Sequence, residues 1–186
     1  MKNRHVVFLV SACLTGCAAQ KPNSPAILDP ATQAQAPRDN YVAGVQNFGF
    51  VSKDVWRGEK PSAIGYQSLA AMGVGTIIDL QESDESSLIP QRTPAIQYVR
   101  IPTSPWHSEQ VDVHKVLETI RTSPKPVFIH CELGRDRTGM AVAAYRLSTG
   151  FTASEAIREL DNFHVDFLCR APIVARIQKL EPELHQ

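Results

Sequence analysis

Residues 126–139 read Pro126-Val127-Phe128-Ile129-His130-Cys131-Glu132-Leu133-Gly134-Arg135-Asp136-Arg137-Thr138-Gly139. The apolar run Val127 to Ile129 is short and rich in β-branched and aromatic residues, which predicts a buried strand. Beyond it the chain turns polar, passes two glycines, and enters the helical pattern Met140, Val142, Ala143, Tyr145, Leu147, stopped by Gly150. A strand, a short loop and a helix in that order place the loop at the carboxyl end of a strand, where open α/β sheets bind ligands. The helix start adds unpaired N–H groups and a partial positive charge, which suit an anion. A cysteine in that position is held toward its thiolate, the stronger nucleophile. Arg137 lies six residues after Cys131, so a loop curled around one centre brings a planar guanidinium to the same anion. Gly134 and Gly139 allow the backbone to turn and to approach closely.

Working outward, the rest of residues 45–186 repeats the alternation of strand and helix. Phe48 to Val51 and Val55 to Arg57 read as short strands. Ser62 caps a helix with Ile64, Leu69, Ala70 and Met72 on one side, ending at Gly73. Thr76 to Leu80 is a second buried strand, and Gln97 to Ile101 another. Ser108 precedes a helical pattern with Val111, Val113, Val116, Leu117 and Ile120, with Asp112 in its first turn. Thr152-x-x-Glu155 is a capping box for a helix that turns Ala156, Ile157 and Leu160 inward. Ile173, Val174, Ile177 and Leu180 fit a last helix. The expected fold is α/β, a mainly parallel sheet of four to five strands flanked by helices.

Upstream the composition changes. Lys2 and Arg4, an apolar run from Val6 to Leu14, and Thr15-Gly16-Cys17 make a secretory signal over residues 1–16. That run is shorter than the roughly 20 residues a spanning helix needs. Leu14-Thr15-Gly16-Cys17 resembles a bacterial lipobox, which implies acylation of Cys17, and Ala18 after it implies the outer membrane facing the periplasm. Residues 17–44 carry Pro22, Pro25, Pro30 and Pro37 among Ala, Gln and Asn. Such a stretch reads as a flexible tether.

Bulk composition narrows the function. Hydrophobic residues at 43% and charged residues at 20% fit a packed domain. Lys plus Arg number 19, as do Asp plus Glu, so no basic excess points to nucleic acid. The four cysteines, Cys13, Cys17, Cys131 and Cys169, are too few and scattered for a disulfide framework or a paired zinc site. Cys169 reads as a small apolar packing residue, with pairing to Cys131 in an oxidising compartment as the alternative. His114, His164 and His185 do not make a metal set.

The quoted loop resembles the signature of the cysteine-dependent protein tyrosine phosphatases, His-Cys-x-x-Gly-x-x-Arg-Ser/Thr-Gly, at every fixed position. A looser likeness to the small dual-specificity phosphatases runs through Trp56-Arg57-Gly58 with Pro61-Ser62, Asp79-Leu80 and Ile101-Pro102. The resemblance implies hydrolysis of phosphomonoesters through phosphocysteine, without cofactor or metal, by a monomer acting on a phosphorylated protein or small phosphomonoester. Cys131 is implied as nucleophile, and Arg137 with the amides of Glu132, Leu133, Gly134, Arg135 and Asp136 as oxyanion binders. His130 is implied to hold the loop and favour the thiolate, and Thr138 to hydrogen-bond the departing sulfur.

The general acid departs from the family pattern. Relatives carry an Asp on the loop after the strand at 97–101, whereas here it reads Pro102-Thr103-Ser104-Pro105-Trp106-His107-Ser108-Glu109-Gln110. Candidates are Asp136 inside the signature, as in a subset of bacterial and lipid-directed relatives, and Asp112, Glu109 or His107 outside it. Arg135 and Arg137 favour an ionised Asp136, which opposes the role, and a bound dianion offsets them. Asp112 and Glu109 also suit a helix N-terminus for structural reasons alone. Two alternatives stay open: a phosphatase of inositol phosphates or phosphoinositides, and a catalytically silent phosphate-binding lipoprotein. Arg57 reads as an ion-pair partner, Arg135 as a rim charge able to read a second anion, and Trp106 as a side chain at the pocket mouth.

Overall fold

The computed structural model describes residues 41–84 and 95–185. The signal expected at 1–16, Cys17 and most of the 17–44 tether lie outside the described residues. Five strands form one sheet among them, in the order β1-β2-β5-β3-β4. These are β1 (Gly49–Phe50), β2 (Val55–Gly58), β3 (Thr76–Asp79), β4 (Gln97–Arg100) and β5 (Val127–His130). Only β1 against β2 is antiparallel; the other pairings are parallel. β5 is central, with His130 level with Gly58 on one side and Asp79 on the other. The parallel strands therefore end together, and Cys131 leaves the sheet at its middle.

Alternation along β5 divides the core. Val127 and Ile129 face one side, packed with α2 (Val113–Thr122), α3 (Asp136–Ser148), α4 (Ala153–Asn162) and α5 (Phe167–Leu184). Phe128 faces the other, packed with α1 (Ala63–Ala71) and the entering segment at Val42, Val45 and Phe48. Val42 is buried and paired with Val45, so the packed domain begins a few residues before 45 and takes in the end of the expected tether.

Several elements differ from the sequence reading. α1 is capped by Ser62, whose Oγ accepts from Gly65 N. It buries Gly65, Tyr66 and Leu69 and leaves Ile64 and Met72 exposed. The reason is Gly65, where a side chain would collide with the Gly44 carbonyl; the helix seats its backbone, not an apolar stripe, on the entering segment. Asp112 is the N-cap of α2, not a residue of its first turn, and accepts from Lys115 N at 3.0 Å. α5 starts at Phe167 and continues through Pro172. The carbonyl that Pro172 leaves without a helical donor belongs to Leu168, which is exposed to water.

α3 starts at Asp136, within the signature, and is buried nearly all round. Ala141, Ala143 and Ala144 let it sit between the sheet and the other helices. Against its Gly139, any added Cβ would press on Leu160 and Val165. The element that carries Arg137 and Thr138 is thus fixed on every side.

Candidate active site

The geometry of residues 131–135 is set by where their carbonyls go. The Cys131 oxygen accepts from His130 Nδ1 at 3.2 Å, and the Glu132 oxygen from Lys60 N at 3.2 Å. Asn47 Nδ2 donates to the Leu133 oxygen at 3.2 Å and to the Gly134 oxygen at 3.1 Å. Arg57 Nη2 also donates to the Gly134 oxygen, at 2.9 Å. The Arg135 oxygen accepts from Gly139 N at 2.6 Å. Every carbonyl is tied outward to the protein, and in a planar trans peptide the N–H points the opposite way. None of the N–H groups of Glu132 to Asp136 donates to another described residue. Five amides are left without a protein acceptor on the inner side of the turn, the kind of arrangement that binds anions. Gly134 makes this possible at φ +65°, where a Cβ would fall on the Gly58 carbonyl.

A cleft of about 450 Å³ opens at the loop, lined by Cys131, Glu132, Leu133, Asp136 and Arg137, together with Gln81, Glu82, Ser83 and Pro105. A larger groove of about 1030 Å³ also touches Glu132 and Leu133 but is not lined by Cys131 or Arg137; the chemistry of the loop belongs to the smaller one. Arg137 is buried and donates from Nη1 to the Leu80 oxygen at 3.3 Å and the Thr103 oxygen at 3.1 Å. The ends of β3 and β4 thereby fix its plane. Its Nε and Nη2 bond to no described residue, which leaves two donors for one phosphoryl group.

Beneath the loop, His130 is fully buried with Nδ1 3.8 Å from Asp79 Oδ1. Asp79 accepts from Gln81 N at 2.8 Å and from the Tyr98 hydroxyl. Burial, followed by the bond to Asp79 and its charge, pushes the Tyr98 phenol far above its ordinary range, so Tyr98 stays a proton donor to the carboxylate. Behind the loop, burial pulls Arg57 down to about 10, with Glu159 and then Cys131 acting to keep it protonated. It remains a cation at neutral pH.

Asp136 lines the cleft, with Oδ1 accepting from Asp166 N at 2.7 Å and Oδ2 bonded to no described residue. The other acid candidates do not line it. Asp112 is committed to its cap, and His107 and Glu109 pair with each other at 3.4 Å. Arg135 is exposed and outside the cleft lining. Trp106 is 83% exposed; Pro105, not Trp106, forms that wall. The Thr138 hydroxyl is buried without a hydrogen bond to any described residue, so the expected contact with the sulfur is not formed. Cys131 and Cys169 are both free, not paired. Burial, with the charges of Asp136, Asp166 and Glu109, pushes the Cys169 thiol up, against the thiolate that disulfide exchange requires. Among the described residues no cluster of His, Cys, Asp or Glu suits a metal.

Sequence reasoning missed Gln81, Glu82 and Ser83, although their position just past β3 is where parallel sheets place ligand contacts. It also missed Asn47 and Glu159, which carry no local signal.

Comparison with known proteins agrees with this fold. A dual-specificity protein phosphatase, TpbA of Pseudomonas aeruginosa strain UCBPP-PA14, is 27% identical over 159 residues, 82% of this chain and 66% of the relative. TpbA of strain PAO1 is 27% identical over 118 residues, 60% of this chain and 52% of the relative. The chain thus spans between half and two-thirds of the length of these relatives. The crystal structure of P. aeruginosa TpbA superposes with a TM-score of 0.60 at 23% identity, covering 75% of this chain and 91% of that one. The core catalytic domain of the PP-IP phosphatase SIW14 from S. cerevisiae superposes with a TM-score of 0.63 at 21% identity, covering 74% and 87%. The family model that matches residues 48–168, more than half of the chain, is the DSP-PTPase phosphatase fused to NAD+ kinase. By fold, loop and family match, this chain belongs to that dual-specificity-like phosphatase family.

Proposed function

We propose that the chain hydrolyses phosphomonoesters, with phosphotyrosine-type protein substrates first, through a phosphocysteine intermediate. The observation that carries the reading is the set of loop amides left open by outward-tied carbonyls, beside a cleft lined by Cys131 and Arg137. The Cys131 sulfur attacks phosphorus as the ester P–O bond breaks. The amides and Arg137 take up charge on the equatorial oxygens, the main source of rate in phosphoryl transfer. Asp136 gives its proton to the leaving oxygen, then takes one from the water that splits the P–S bond, returning thiolate and releasing inorganic phosphate. The Thr138 hydroxyl stabilises the sulfur as it departs.

The family likeness to TpbA, whose crystal structures include one with bound phosphotyrosine, supports a protein substrate. So does charge: besides the proton donor Asp136, the cleft lining carries Glu82 and Glu132 against Arg137 alone. An inositol polyphosphate brings further anions that this rim would repel. The test compares kcat/KM for a phosphotyrosyl peptide, a phosphoseryl peptide and inositol phosphates. The phosphotyrosyl peptide is expected to lead; preference for the inositol phosphates overturns the substrate, and no turnover of any favours the silent phosphate-binding reading.

The lipobox-like stretch ending at Cys17 supports an exported lipoprotein, anchored by an acyl chain, with a monomeric domain held off the membrane. Metabolic labelling with a clickable fatty acid should mark the wild type and not Cys17→Ser. Equal labelling of both, or of neither, removes the anchor.

A further inference from the structure

Arg57 on β2 is a buried guanidinium that the signature motif does not include. Its Nη1 is 3.7 Å from Glu159 Oε1, and the Phe163 ring covers its face at 3.6 Å. Glu159 in turn accepts from Arg146 Nε at 2.7 Å. Two guanidiniums share one carboxylate, so the carboxylate does not balance both, and the next negative group acting on Arg57 is Cys131 itself. For stability alone this is a poor choice, since apolar residues of similar volume commonly serve a core as well or better. The group's contact with the signature is the Arg57 bond to the Gly134 oxygen, on which Asn47 converges from the entering segment. That oxygen belongs to the peptide whose N–H is Arg135's.

We propose that Arg57, held in place by Glu159, is a positioning residue of the catalytic loop. It fixes the 134–135 peptide with its N–H toward the oxyanion and adds positive charge behind it. The inference rests on the phosphatase reading for its purpose but is read out by anion affinity. Glu159 acts only through Arg57, so the two are coupled and not additive.

The test measures inhibition by orthovanadate and the kcat and KM for p-nitrophenyl phosphate, beside the thermal midpoint, for Arg57→Met, Arg57→Lys, Glu159→Gln, Asn47→Gly and the double variant Arg57→Met/Glu159→Met. Arg57→Met is expected to keep the thermal midpoint while vanadate binding weakens and kcat falls by about tenfold or more, the scale of a misplaced oxyanion donor. Arg57→Lys, which keeps the charge and one donor, recovers part of both. Asn47→Gly, which keeps the backbone freedom needed at φ 50°, loses vanadate affinity by a smaller factor. The double variant binds vanadate no worse than Arg57→Met. Wild-type vanadate affinity and kcat in folded Arg57→Met overturn the proposal. If Arg57→Met does not fold, Arg57→Lys and Glu159→Gln carry the decision, and wild-type anion affinity in both overturns it. A wild type that binds vanadate but cleaves no ester faults the phosphatase reading and leaves this inference standing.

Discussion

Asp136 stands at the first position of α3, beside Arg137, with one oxygen taken by the Asp166 amide and the other directed to no described residue. The bonded oxygen fixes the plane of the carboxyl and leaves the other open for exchange with a leaving group. The demand for that proton depends on the leaving group. Asp136→Asn should therefore slow phenyl phosphate by about 100-fold, within the usual range for a general acid, and p-nitrophenyl phosphate far less. A leaving-group series of aryl phosphates measures this; equal losses across the series place the acid elsewhere. That Cys131, Arg137 and Asp136 share one cleft was legible because the motif spacing carries them. Asn47 was not, because its two bonds to Leu133 and Gly134 reach across more than eighty residues. Nothing in its neighbourhood records them.

At the scale of elements, what the sequence announces best is local chemistry. The capping box at the start of α4 is complete: Thr152 Oγ1 accepts from Glu155 N, and the Glu155 carboxylate accepts from Thr152 N at 2.8 Å. Those bonds from Thr152, backbone first, hold the Glu155 carboxyl below its ordinary value. A carboxyl depressed in the fold stabilises it above its unfolded pKa, and that stability disappears as pH falls through the folded value. Glu155→Gln should lower the thermal midpoint at pH 7, and the gap to wild type should close on acidification below about pH 4, near the ordinary carboxyl range. A gap that persists at pH 3 would mean that Glu155 acts by packing. α1 shows the converse. Its apolar residues suggested a buried stripe, yet the contact is Gly65 against the Gly44 backbone. A face made by the lack of a side chain leaves no hydrophobic period to read.

For the whole molecule, the order of strands and helices followed from alternation, because buried parallel strands are short and β-branched and the helices between them cap and stop at named residues. The order within the sheet did not. Only the parallel pairing of β5 with both β2 and β3 sets the signature loop in the middle. Phe128 joins the smaller core to the base of that loop, stacked on Phe48 at 6.2 Å and near His130 at 6.0 Å. Phe128→Ala should cost about 3–5 kcal/mol, the range for a large aromatic lost from a packed core, read from urea unfolding. A loss under 1 kcal/mol would show that the two cores are independent. The Glu159 link has the same whole-molecule character, since it ties α4 to the loop through Arg57.

The most direct test of a sulfur nucleophile beneath an open ring of amides is rapid acid quench of the protein turning over a phosphotyrosyl peptide, followed by intact and peptide mass analysis. The account predicts one added phosphoryl group, located on Cys131, and none in Cys131→Ser. Turnover with no adduct on the wild type, or a Cys131→Ser variant that still cleaves the ester at the wild-type rate, would contradict it.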